Sequence, residues 1–253
     1  MSWLTAIFAG YGTSSAVCLV LIVAERLGGQ TGTDWWRNLQ AWFLQRCFAI
    51  TLLPLVPMWN AHWSLIDGAT VPVWIGLPIL LLARDLCEYL YHRAQHAIPF
   101  MWAMHSLHHS DPDMMSLTGQ RHFWGEQVVK QLTIWPASLL FISPTPQMLF
   151  WGGLISLWNF GLHSGLPIDF GRWSWLLNCP EYHRRHHSAD PAHYNSNYAA
   201  LFPIFDVLAG SYHRADGHHR TGLTRKPENI AELLIWPLIW NRPARQKADA
   251  IPA

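Results

Sequence analysis

The chain has 253 residues, a formal net charge of +1 and 13% charged residues, against about 25% in ordinary globular domains. Its 51% apolar content, arranged in long runs, excludes disorder and argues against an ordinary soluble domain. The near-zero charge leaves no basic footprint for nucleic acid. The four cysteines, Cys18, Cys47, Cys87 and Cys179, are too scattered for a disulfide framework, a zinc ribbon or an iron–sulfur cluster.

Residues 3–24 form an uncharged run long enough to span a bilayer. No basic segment precedes it and no small-residue cleavage site precedes Glu25-Arg26, which favours a mature anchor over a signal peptide. A second run, 42–66, is interrupted by Pro54, Pro57 and His62 and reads as a kinked membrane helix. The third, 71–90, carries Arg84, Asp85 and Glu88 near its end; these sit at the membrane interface or point into the protein. Residues 132–158 are apolar but divided by Ser143-Pro144-Thr145-Pro146. Each half is short for a span, so a tight helical hairpin is expected, entering and leaving on one face. The short apolar segment 230–240 is expected to lie on the membrane surface. The many tryptophans suit an interfacial belt.

Loop charges give an orientation. Arg26, Arg37 and Arg46 flank the first connection and no basic residue lies in 67–70, placing 25–41 in the cytoplasm and 67–70 outside. The expected fold is therefore an all-α, multi-pass integral membrane bundle of three spans plus a hairpin, with a cytoplasmic histidine-rich helical cap. Its divisions are 1–70 (N-terminal membrane helices), 71–213 (histidine-rich domain including the hairpin 132–158) and 214–253 (tail).

Eight of the 15 histidines fall into three groups: His92 and His96; His105, His108 and His109; His183, His186 and His187. Helical residues three or four apart share a face, so each group can present two imidazoles together. Adjacent helical residues point about 100° apart, so each doubled His-His can address two different metals. The pattern predicts a pair of nitrogen-ligated metals, with zinc, copper, iron and nickel all compatible and magnesium and calcium disfavoured. His62, His213, His218 and His219 read as ordinary polar residues. Asp85 and Glu88 lie seven and four residues before His92 on its helical face, where carboxylates commonly orient metal-bound imidazoles. Asp206 is a weaker candidate of the same kind.

The series H-x3-H, H-x2-HH, H-x2-HH resembles the fatty acid hydroxylase / sterol desaturase superfamily of membrane diiron enzymes. The segments 84–96, 104–110, 180–188 and 195–212 carry the resemblance, with Ala199 and Phe205 where that family usually has Gly and Trp. Asn159-Phe-Gly-Leu-His163 looks like the extra ligand pair of related membrane diiron enzymes, implying His163 as a ninth ligand and Asn159 acting through water. Arg121-His122 with Glu126 resembles the family's Arg-x-His-Pro-x-Glu segment, with Phe123 in place of Pro; it adds His122 as a weaker metal candidate.

The resemblance implies two iron ions, O2 as co-substrate, and hydroxylation or desaturation of an unactivated C–H bond in a hydrophobic lipid such as a sterol-like terpenoid, a carotenoid or a fatty-acyl lipid. It makes 71–213 the catalytic domain, with its site on the cytoplasmic side. No Rossmann fingerprint, haem motif or cysteine cluster supplies electrons, so a ferredoxin- or cytochrome-type donor with its reductase is implied. Arg93, Arg184 and Arg185 are candidates for its docking surface or for lipid headgroup contact. A zinc hydrolase is disfavoured by the absence of H-E-x-x-H. A bis-histidine haem protein would need histidines paired across spans. A non-catalytic metal-binding scaffold is the remaining alternative.

Overall fold

The computed structural model describes residues 3–29, 32–52 and 63–240. The interrupted part of the second apolar run, with Pro54, Pro57 and His62, lies outside them. Two long helices open the chain, α1 (Trp3–Leu27) and α2 (Trp35–Leu52). A two-residue strand, β1 (Ile66–Asp67), leads into α3 (Val73–Ala97), which turns directly into α4 (Pro99–His109). Pro99 at the first position of α4 explains the break: proline disfavours a helical residue before it and starts a new helix without needing its missing N–H.

A 3-10 turn at Ser116–Gln120 precedes α5 (Trp124–Leu139). The hairpin closes through β2 (Ile142–Ser143) into α6 (Pro146–Ser156), where Thr145 caps the helix by accepting from the Met148 N–H at 3.3 Å. Then follow α7 (Trp158–Leu162), α8 (Pro180–His186), α9 (Ile204–Ala209) and α10 (Ile230–Trp240). The chain is predominantly helical.

β1 and β2 run parallel, with Ile66 opposite Ile142 and Asp67 opposite Ser143. This ties the start of α3 to the turn of the hairpin. His92 lies about 28 Å further along α3, at 1.5 Å per residue. The histidine groups therefore gather at the end of the bundle remote from the strand pair. Among the described residues no helix is long and apolar enough to cross a membrane. Arg84, Asp85 and Glu88 interrupt α3, and α5 and α6 have only 16 and 11 residues.

The N-terminal helices also hold the histidine-bearing segments in place. Buried Glu25 at the end of α1 accepts from the Ser116 N–H and hydroxyl at 2.8 and 2.9 Å and from the Gly165 N–H at 3.2 Å. Arg121, fully buried, donates to Asp34 at 2.7 Å, to Asn38 at 2.8 Å and to the Ser110 hydroxyl at 2.9 Å. Asn38 in turn donates to Asp111 at 2.6 Å. This buried polar network clamps the segment 110–121, which connects the second histidine group to α5.

The tail helix is packed on one side and open on the other. Leu233, Trp236 and Trp240 of α10 are buried against Ala41, Ala103, Met104, Leu107 and Phe123, while Ile230, Leu234, Ile235 and Leu238 face outward. Trp236 donates its indole N–H to Ser106, on α4 between the histidines, at 2.9 Å. One face of α10 thus braces the second histidine group.

Candidate metal centre

Three short helical segments and one helix end present the imidazoles. His92 and His96 occupy the last turns of α3, and His105, His108 and His109 the end of α4. His183 and His186 lie on α8, with His187 at its cap, and His163 caps α7. They converge as two groups. His92, His96, His105, His109 and His186 offer ligand nitrogens within 4.8 Å of one another, and so do His108, His163, His183 and His187. Each doubled pair divides between the groups: His108 and His187 go to one, His109 and His186 to the other. The groups adjoin, with the rings of His109 and His187 stacked at 4.3 Å.

The tautomers say what these nitrogens need. His92 Nδ1 lies 2.7 Å from the Tyr198 carbonyl and His186 Nδ1 lies 2.7 Å from the Ser196 carbonyl. Carbonyls only accept, so both Nδ1 atoms carry hydrogen and both Nε2 atoms are bare lone pairs in the neutral rings. His105 Nδ1 points at Glu126 at 3.4 Å, which leaves its Nε2 bare as well. Yet His92 Nε2 lies 2.9 Å from His105 Nε2 and 3.0 Å from His186 Nε2. Three lone pairs facing one another repel unless a cation sits among them. Two nitrogens each about 2.1 Å from one ion at a right angle are about 3.0 Å apart, the spacing found here.

The second group follows the same logic. His163 Nδ1 donates to the Asn159 carbonyl at 2.8 Å, and its Nε2 faces His183 Nε2 at 2.9 Å and His108 Nε2 at 3.2 Å. Among the described residues the buried Nε2 atoms of His96, His109 and His187 have no hydrogen-bond partner. Burial holds these rings neutral: it pushes His186 down to about 3, against the opposing Ser196 bond, and His108, His109, His183 and His187 well below the usual value, with neighbouring imidazoles adding to the effect. A set of neutral, nitrogen-only donors fits transition metals or zinc.

Two of these carbonyls, those of Ser196 and Tyr198, come from an unusual loop. Asn195 and Asn197 adopt positive φ, 62° and 57°. Asparagine tolerates this region better than most residues. Asn197 pays back the strain by donating to the Tyr182 and His213 carbonyls at 3.2 and 2.9 Å and accepting from the His213 N–H at 2.7 Å. Asp206 holds the next stretch, accepting from the Tyr198 and Ala199 N–H groups and from the Tyr182 and Ser211 hydroxyls.

Other expected site residues fall differently. Asp85 meets no imidazole; it accepts the Leu201 and Phe202 N–H groups, both at 2.8 Å, and so anchors the loop whose Tyr198 carbonyl orients His92. Glu88 pairs with Lys130 at 2.5 Å instead of a histidine. The Asn159 contact to His163 is made by its backbone. His122 belongs to neither group; it stacks on His108 at 4.3 Å and shares Glu126 with His105. Glu126, fully buried, is therefore the carboxylate that contacts the imidazoles. Burial alone would raise its pKa, but His122 and His105 outweigh that and hold it well below the usual range. Arg184 and Arg185 are not free for docking. Arg184 is buried and donates to the Met114 and Ser164 carbonyls, and Arg185 pairs with Asp216. Arg93 remains exposed, beside Tyr89 and Tyr198.

A cavity of about 360 Å³ opens beside both groups. His92, His105, His108, His163 and His183 form its metal-facing wall, with α2, α3, α5 and α6 around it. Gly119 seals one side: a Cβ there would stand 2.8 Å from His163 Nδ1.

Comparison with known proteins agrees with this arrangement. Residues 77–211 match the family model "Fatty acid hydroxylase". An alkylglycerol monooxygenase of Xenopus tropicalis is 30% identical over 195 residues, covering 74% of this chain and 43% of that protein. An ornithine lipid hydroxylase of Rhizobium tropici is 31% identical, covering 56% of this chain and 43% of its own length. A Delta(7)-sterol 5(6)-desaturase of Aspergillus fumigatus is 26% identical, covering 55% and 38%. The chain thus spans less than half the length of these relatives. No solved structure matches it. The matched region contains all nine clustered histidines, and the chain belongs to the fatty acid hydroxylase family.

Proposed function

We propose that this chain is an O2-dependent, membrane-associated oxidoreductase that hydroxylates an unactivated C–H bond of a lipid, using two iron ions held by the two histidine groups. The observation that carries the reading is the convergence of bare imidazole nitrogens in two adjoining clusters beside one cavity. The relatives' names, a lipid monooxygenase, a lipid hydroxylase and a sterol desaturase, favour C–H oxidation over the hydrolytic and electron-transfer alternatives.

In this reading His92, His96, His105, His109 and His186 hold one ion, and His108, His163, His183 and His187 the other. When bound, the ions supply dioxygen activation. One oxygen atom enters the C–H bond and the other leaves as water, with two electrons from an external ferredoxin- or cytochrome-type donor and two protons. The protein's own part is positional. The Tyr198, Ser196 and Asn159 carbonyls and Glu126 orient the ligands. Thiols, which the oxidant would attack, are absent from the clusters.

The membrane association is supported by apolar side chains that the fold leaves exposed: Leu19, Val20, Val23 and Leu27 on α1, Trp74, Leu82 and Leu90 on α3, and Phe150 and Trp151 on α6. The orientation with both histidine-rich halves in the cytoplasm rests on the loop arginines. The test is lipid mass spectrometry under ¹⁸O2, comparing the chain with His186→Ala. A lipid gaining one ¹⁸O only with the intact site supports the reading. A product lacking two hydrogens and containing no ¹⁸O would make the reaction a desaturation.

A further inference from the structure

A smaller group of metal-binding side chains lies outside the nine-histidine centre. His193, Asp216 and His219 each offer one ligand atom, and these atoms lie within 4.8 Å of one another. Two loops bring them together. His193 ends the 3-10 turn Pro191–His193 after α8, and Asp216 and His219 come from the segment beyond α9. The loops are tied at their bases by an antiparallel bridge between Ser188 and Thr221 and by the Ala189 N–H donating to the Arg220 carbonyl at 2.8 Å. That pairing sets the His193 and His219 rings 4.3 Å apart, inclined at 64°.

The partners of these side chains are those that metal ligands ordinarily have. His193 Nδ1 lies 2.9 Å from the Ser188 hydroxyl, so with its hydrogen placed there Nε2 is the bare nitrogen. His219 Nε2 donates to Asp216 Oδ1 at 2.6 Å, and a divalent ion in place of that shared proton would hold both groups. Arg185 donates to the same carboxylate oxygen, a bond of the kind that steadies a ligating carboxylate. Asp190 is the other charge beside His193, so the two carboxylates outnumber the one guanidinium. His218 takes no part; it pairs with Glu181 at 2.6 Å. Two imidazoles and a carboxylate suit zinc, and Asp216, 56% exposed, leaves room for water as the fourth ligand.

We propose that His193, Asp216 and His219 form a separate, exchangeable zinc site that clasps the loop following the third histidine group. The path to the inner centre is short. Ser188 directly follows His187, and the Ser196 hydroxyl donates to the His193 carbonyl at 2.7 Å while the Ser196 carbonyl orients His186. Zinc on the outer site therefore stiffens the backbone that aims His186. The inner centre is buried and bound by nitrogen alone, whereas this site is open to solvent and contains oxygen, so the two fill independently.

The experiment titrates zinc into the iron-loaded full chain and follows zinc and iron content together. The expected result is one zinc per chain in addition to the iron, with Kd in the micromolar range and no iron lost. Saturating zinc should raise the melting temperature by about 2–4 °C. His193→Ala and His219→Ala should each weaken zinc uptake roughly 10-fold or more, since even loss of an outer hydrogen bond to a ligand costs that much, with iron content unchanged. Zinc uptake equal in parent and variants, zinc entry matched by loss of iron, or no zinc bound at micromolar concentration overturns the proposal. If either variant does not fold, Asp216→Asn at the exposed position gives the same comparison. The result does not depend on which metal fills the inner centre, because that metal's content is measured alongside.

Discussion

At the scale of single residues, the site depends on which nitrogen of each ring is free. His186→Ala removes one of three facing lone pairs and should abolish tight metal binding in the five-histidine group while leaving much of the fold. Metal analysis beside far-UV circular dichroism checks this. Gly119→Ala forces a methyl against His163 and should disturb the four-histidine group alone. About half the bound metal should be lost; unchanged metal content would show that the ring can move aside. The three histidine groups were legible because helical spacing places them on shared faces. His163 and Glu126 were reachable only through resemblance, since neither stands in a spaced histidine pattern. Asp85 and Glu88, expected on the face of His92, meet other partners: helical spacing gives the direction of a side chain but not which neighbour reaches it first. Here backbone N–H groups and Lys130 do.

At the scale of elements, the long helices and the Ser-Pro-Thr-Pro hairpin could be read from hydropathy and proline placement. The packing of α10 could not. Apart from Glu232 its sequence is apolar on all sides, so little marks which face is buried. Trp236→Ala should destabilise the protein by about 3–5 kcal/mol through the cavity it leaves and the lost bond to Ser106. A thermal melt showing no change would mean that α10 is only peripheral. The buried network of Glu25, Asp34, Asn38, Asp111 and Arg121 was likewise invisible, because its members are far apart in sequence. Arg121→Leu leaves Asp34 with only the half-exposed Lys226 and leaves Asn38 and Ser110 without their donor, and should cost roughly 3 kcal/mol, read as a lower denaturation midpoint.

At the scale of the whole molecule, burial of so many neutral imidazoles couples stability to pH. In the unfolded chain these rings titrate near 6.5; folded, His186 is pushed down to about 3 by burial. Between those values the unfolded state binds more protons, so the stability of the metal-free protein falls as pH drops through the window. Its melting temperature should decline from pH 7 toward pH 4, and a flat profile would contradict the buried, neutral cluster. The overall helical class was evident from the long apolar runs. Hydropathy also suggested membrane spans, yet among the described residues no helix is long and apolar enough to cross a membrane.

The central claim is that nine imidazoles form two adjoining sites for two metal ions. The most direct measurement is metal stoichiometry on the purified full chain expressed with ample iron, with Mössbauer spectroscopy of the same sample. The account predicts close to two iron ions per chain in coupled, nitrogen-rich environments. One iron per chain, a haem spectrum, or zinc in both positions would contradict it.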